Sequence, residues 1–267
     1  MKPIRVALSG SGFKFPALVG ALNAIVDAGY EVKELAGTSG GSIVCVLYAA
    51  GMPLDTLKYL ALHHDWSGML SFNVWSLFTK MGYCSGNDLH DFLIDNTQAK
   101  TFNDLQIDLT VVASDITFLK PYIFSKRTTP ECPIGMAARC SSSIPLVYAA
   151  MTFDNRLIMD GGMVNNIPID MLTDDGTQQI GIQLVSNELP MAGGIYSLKS
   201  IIERIVTIML KSNDNAHVDL GIKDGAQVVF VETGYVDGLD NKMILADRTR
   251  LFNDGYNKTA EVLKGLK

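Results

Sequence analysis

Twice near its start, the chain runs from a short apolar stretch through a glycine turn straight into a helix-like segment. Ile4 to Leu8 leads into Ser9-Gly10-Ser11-Gly12 and a helix from about Phe15 to Ala28 that Gly29 can end in a left-handed conformation. Val32 to Ala36 leads into Gly37-Thr38-Ser39-Gly40-Gly41 and the apolar run Ser42 to Ala50, closed by Gly51 and Pro53. Strands alternating with helices build a mostly parallel sheet covered by helices, so an α/β architecture is expected.

Further strands are expected at Asp108 to Ser114, Tyr122 to Ser125, Arg156 to Met159, Gln179 to Val185 and Gln227 to Glu232, in a sheet of about six strands. Between Ser197 and Asn213 a helical stripe of Leu198, Ile201, Ile202, Ile205, Ile208 and Met209 reads as a helix packed on that sheet. Met243 to Leu263 is also helical. No repeat or long linker interrupts the 267 residues, and one domain spanning 1–267 is the simplest parse.

At 48% apolar and 19% charged residues, the chain is expected to bury a large core. The net charge of −6 offers no general attraction for nucleic acid or anionic lipid headgroups, so any membrane contact has to be local and largely apolar. Cys45, Cys84, Cys132 and Cys140 show neither zinc-finger nor CxxC spacing, which suits a reducing compartment. Met1 to Leu8 lacks the pattern of a secretory leader, and Ile43 to Met52 is about half the roughly 20 residues of a spanning helix. A cytoplasmic location, with at most peripheral membrane contact, is the expectation.

Gly37-Thr38-Ser39-Gly40-Gly41 has the G-x-S-x-G form, in which glycines let a strand and a helix approach while the turn holds the serine hydroxyl out. Ser39 is therefore the candidate nucleophile; a structural glycine turn is the alternative. The helix that follows offers free N–H groups and the positive end of its dipole to a developing oxyanion. The first glycine turn, at the same carboxyl edge of the sheet, is a second donor source. Nucleotide binding fits less well, because the G-x-G-x-x-G fingerprint is broken where Phe15 replaces its last glycine.

A serine needs a base within hydrogen-bonding reach. His63, His64 and His90 precede Asp160, so a Ser-Asp-His order leaves His217, which lies in a polar stretch and reads as a solvated helix-end residue. Asp160 follows the short strand Ile158-Met159 and precedes Gly161-Gly162, as either a strand-end base or an ordinary turn aspartate.

Three ordered blocks closely resemble the patatin-like phospholipases: Ser9 to Lys14, Gly37 to Ser42, and Asp160-Gly161-Gly162-Met163-Val164-Asn165-Asn166-Ile167-Pro168. Asp65-Trp66-Ser67, Val112 to Asp115 and Ala138 to Pro145 add to the likeness, which covers nearly the whole chain. The resemblance implies a three-layer α/β/α sandwich and a Ser-Asp dyad of Ser39 and Asp160 that uses no metal, cofactor or histidine. It also implies an oxyanion site at Gly10, Ser11 and Gly12, with Lys14, Gly37, Gly41, Gly161 and Gly162 as supporting motif residues. The chain departs from the family's turn at Ser11, where glycine is usual, and at Phe15, which either packs on the first helix or lines an acyl channel.

On that resemblance the expected activity is hydrolysis of phospholipid or related esters through an acyl enzyme. Acyl transfer to an alcohol and silent lipid binding are the alternatives, and a protein activator is unspecified. The aromatic segment containing Phe72, Trp75 and Phe78 has two open readings, a lid or lipid-contact patch and plain packing over the sheet.

Overall fold

The computed structural model describes residues 1–70, 82–186, 201, 204–205, 208, 214–223 and 225–265. In chain order the strands and helices are β1 (Lys2–Leu8), α1 (Pro16–Asp27), β2 (Tyr30–Thr38), α2 (Gly40–Ala49) and α3 (Leu54–His63). Next come β3 (Gly82–Cys84), α4 (Asn87–Thr97), β4 (Asp108–Asp115), β5 (Lys120–Ser125) and α5 (Ile134–Ser141). The remainder are β6 (Leu146–Tyr148), β7 (Met151–Phe153), β8 (Arg156–Asp160), β9 (Gln178–Val185), α6 (Asp214–Lys223), β10 (Gln227–Glu232) and α7 (Leu245–Lys264).

The central sheet has the order β10-β9-β1-β2-β4-β8-β7, with β5 also on β4. From β10 to β4 all neighbours are parallel, as intervening helices require. Both β5 and β8 join β4 antiparallel. The eight strands are the seven segments read from the sequence plus β7, whose hairpin with β8 turns at Asp154 and Asn155, both at positive φ (50° and 56°). Asp and Asn tolerate that left-handed geometry, which matches the twist of the flanking strands.

Alternate residues on the central strands enter different cores. Val6 and Leu35 face the larger one, with α1, α2 and α7, whereas Ala7 and Ala36 face a smaller cluster of Ile167, Ile169, Leu172 and Val218. Helices therefore flank the sheet on both faces. The expected packing of the 197–213 stripe is corrected where it is described: Ile201, Ile205 and Ile208 are helical but exposed. The buried cluster on the second face of the sheet is made of Ala7, Ala36, Ile167, Ile169, Leu172, Val218 and Ala226, without these three. No helix among the described residues is long and apolar enough to cross a membrane.

Candidate active site

Ser39 sits between the end of β2 and the start of α2 with φ 49° and ψ −126°. A side-chain-bearing residue holds positive φ only where its surroundings enforce it, at a cost on the order of 1–3 kcal/mol. Here the enforcement comes from both sides. The Ser39 N–H donates to Ser141 Oγ (2.8 Å), Ser141 Oγ donates to the Val112 carbonyl (2.6 Å), and Ser42 Oγ donates to the Ser39 carbonyl (2.6 Å). Gly37 makes the sharp return possible, since a Cβ there would lie 2.8 Å from both Ser42 Cα and Cys45 Sγ.

Asp160 is the last residue of β8, paired with Ala113, while Thr38 pairs with Val112 on the other side of β4. This register brings the ends of β2 and β8 to the same level. Ser39 Oγ donates to Asp160 Oδ2 at 2.7 Å, and the Gly162 N–H donates to Asp160 Oδ1 at 2.8 Å. Asp160 is also fixed through its backbone: its N–H donates to Ser143 O (3.0 Å) and its carbonyl accepts from Ser114 Oγ (2.6 Å). Both Ser39 and Asp160 are buried. Burial pushes the Asp160 carboxyl up to about 6, against the opposing pull of the Ser39 and Gly162 hydrogen bonds.

The two glycine turns stack against each other. A Cβ on Gly40 would collide with Ser11 Oγ and lie 2.7 Å from Gly12 O, and one on Gly10 would lie 3.5 Å from Ser39 Cβ. Gly41 is likewise pressed on the Leu8 and Ser9 carbonyls, and Gly161 on the Val112 carbonyl. Of the three expected oxyanion donors, Gly10 has its N–H bonded to Asn166 O at 2.9 Å. The N–H groups of Ser11 and Gly12 meet no protein acceptor among the described residues. Lys14 is buried, and its ammonium donates to Ser186 Oγ at 2.8 Å.

Phe15 is buried in the larger core and packs edge-to-face on Trp66, ring centres 5.0 Å apart. Phe72, Trp75 and Phe78 lie outside the described residues.

His217 is not the solvated helix-end residue expected. On α6, half-buried, it bonds Asp170 Oδ2 through Nδ1 and the Val164 carbonyl through Nε2, both at 3.1 Å. Asp170 Oδ1 in turn accepts from Asn165 Nδ2 (2.8 Å), and the Asn165 carbonyl accepts from Thr38 Oγ1 (2.8 Å). His217 thus braces the loop after Asp160 without touching Ser39. Sequence reasoning missed this brace and the part played by Ser141. The Ser141-Ser142-Ser143 run at a helix end was the only local hint, and nothing near His217 points to Asp170.

Comparison with known proteins adds a family to this geometry. The family model described as patatin-like phospholipase matches residues 6–173, more than half of the chain. An uncharacterized protein of Acanthamoeba polyphaga mimivirus is 28% identical over 228 residues, covering 80% of this chain and 77% of its own. A protein named probable lipid hydrolase from Invertebrate iridescent virus 6 is 28% identical, covering 62% of each chain. Patatin-like phospholipase domain-containing protein 6 of Mus musculus is 27% identical over 66% of this chain, which spans only 13% of that relative.

Among solved structures, VipD from Legionella pneumophila matches with a TM-score of 0.65 at 16% identity, over 99% of this chain and 67% of its own. ExoU of Pseudomonas aeruginosa, solved as a heterodimeric complex with SpcU, matches at 0.55 and 16% over 99% of this chain and 51% of its own. These two likenesses concern the fold. With the match to residues 6–173 spanning the serine turn, the first glycine turn and the Asp160 loop, the chain belongs to the patatin-like phospholipase family.

Proposed function

We propose that this protein is a serine acyl hydrolase of lipid esters, with Ser39 as nucleophile and Asp160 as its base. The observation that carries the reading is the 2.7 Å bond from Ser39 Oγ to a buried carboxylate, made by a serine held at φ 49°. A carboxyl raised to about 6 is ionised at neutral pH yet basic enough to accept a proton in the transition state. Lipid ester as substrate class is supported by family membership and by the relative named a probable lipid hydrolase.

Ser39 Oγ attacks the ester carbonyl as Asp160 Oδ2 takes its proton, forming the carbon–oxygen bond of a tetrahedral intermediate. The oxyanion faces the N–H groups of Ser11 and Gly12 and the start of α2, donors fixed before reaction begins. Asp160 returns the proton to the departing alcohol, leaving an acyl-Ser39 ester. Water then attacks that ester while Asp160 accepts its proton, and the carboxylic acid leaves as Ser39 is reprotonated.

Labelling with a fluorophosphonate, followed by mass analysis of products from mixed phospholipids, tests the reading. Wild type is expected to label at Ser39 and release free fatty acid, and both Ser39→Ala and Asp160→Asn to lose at least ~10²-fold in turnover. Full activity in either variant would refute it. Acylated acceptor in place of fatty acid would redirect the same chemistry to acyl transfer.

A further inference from the structure

The hairpin between β4 and β5 carries the most exposed aromatic–aliphatic pair on the active-site edge among the described residues. Phe118 is 59% and Leu119 86% exposed. Val112 stands beside Thr38, so Asp115 ends β4 about 10 Å beyond the nucleophile strand at 3.3 Å per residue, and the loop Ile116 to Leu119 projects past that.

Its shape is fixed. The Ile116 N–H donates to Leu157 O (2.9 Å), the Leu157 N–H donates to Thr117 Oγ1 (2.8 Å), and the Phe118 N–H donates to Asp115 Oδ1 (3.0 Å). Leu119 has φ 53°, a conformation that Gly or Asn would take without strain. A leucine there is both strained and almost wholly in water, so neither local folding nor the core accounts for it.

Two cations stand against the Phe118 ring. Lys120 Nζ lies 5.6 Å from the Phe118 ring centre and the Arg156 guanidinium 5.0 Å from it. Two carboxylates offset them, with Arg156 Nη1 3.0 Å from Asp115 and its Nε 3.6 Å from Asp154. The loop thus sets an exposed apolar pair beside two cations and two carboxylates that are neutral in sum. It matches a bilayer entered from the headgroup side, with acyl chains beneath a plane of phosphates. A convex wedge of this kind suits a yielding lipid surface, and its local neutrality on a chain of net charge −6 selects zwitterionic over anionic lipid.

We propose that Phe118 and Leu119 form a wedge that seats the Ser39 edge on a zwitterionic phospholipid bilayer. Its purpose rests on the lipid hydrolase reading, but its binding does not require turnover. An environment-sensitive fluorophore on Leu119→Cys, in a Ser39→Ala background, reports insertion, since Cys45, Cys84, Cys132 and Cys140 are all buried. Lys126→Cys, past the opposite end of β5, is the control.

With phosphatidylcholine vesicles the 119 probe is expected to shift to the blue and be quenched by spin-labelled acyl chains, the 126 probe to stay unchanged, and salt to have little effect. Leu119→Asn, which relaxes the backbone, is expected to weaken vesicle partitioning by about tenfold or more and leave hydrolysis of a soluble short-chain ester unchanged. A 119 probe that stays water-like overturns the wedge. So do equal losses on vesicles and soluble ester, binding only to anionic vesicles, or a shift that grows with protein concentration without lipid. A normal 119 shift with wild-type protein that cleaves no ester would sustain the wedge and refute the hydrolase.

Discussion

Replacing Asp160 by Asn should stabilise the protein at neutral pH while removing its activity. Burial raises the carboxyl from 3.8 to about 6, and one pKa unit corresponds to about 1.4 kcal/mol, so the ionised form costs the folded state about 3 kcal/mol above pH 6. Between those two values the folded chain holds a proton that the unfolded chain has released. The associated stability is therefore complete below 3.8 and is lost as pH rises through 6. Asn preserves the shape: its Oδ1 can accept from Gly162 and its Nδ2 can donate to Ser39 Oγ, now an acceptor.

Linkage puts the advantage of Asp160→Asn at about 1 kcal/mol at pH 4.5 and about 3 kcal/mol at pH 7.5. Urea unfolding of both proteins across that range measures it directly; thermal unfolding should show the variant roughly 6–10 °C higher at pH 7.5. Parallel stability curves for the two proteins would show that the carboxyl is not raised, and a variant less stable at pH 7.5 than wild type would reverse the reasoning.

The same carboxyl should give kcat/KM an acid limb near pH 6, with activity rising to neutral pH; a limb near 4 in a pH-rate profile would contradict its burial. Ser39→Gly should be more stable than Ser39→Ala by about 1 kcal/mol in denaturant titrations at pH 4.5, the opposite of the usual order, because only glycine is relaxed at φ 49°. Gly40→Ala should cut kcat by ~10²-fold or more with a smaller effect on KM, since its methyl displaces Ser11 and Gly12; unchanged kcat would remove that turn from the oxyanion site. His217→Ala should lower stability by about 1–3 kcal/mol yet keep fluorophosphonate labelling of Ser39, whereas lost labelling with an intact fold would point to His217 as the base.

Local elements were the readable part of this protein. β1, α1, β2 and α2 follow from apolar runs punctuated by glycines, and each is complete within a few residues of sequence. Ser39 belongs with them, because its place at a sharp turn is written into Gly37, Gly40 and Gly41 as neighbours in the chain. Asp160 is different: a strand-end Asp-Gly is common, and only its place in an ordered set of family-like blocks singled it out. The added β7 and the exposed Ile201, Ile205 and Ile208 were illegible for a related reason, since hydrophobic pattern marks a face as apolar without saying what, if anything, packs against it.

The sequence by itself determined the α/β alternation, the serine turn and the chemistry its hydroxyl suits, because each rests on residues within one turn or one strand of each other. Only the tertiary structure decided which carboxylate lies 2.7 Å from that hydroxyl across 121 residues, that Gly10 spends its N–H on Asn166, and that His217 grips Asp170. Those contacts depend on strand register and on which side chains a fold leaves facing one another, and no short-range pattern carries that information.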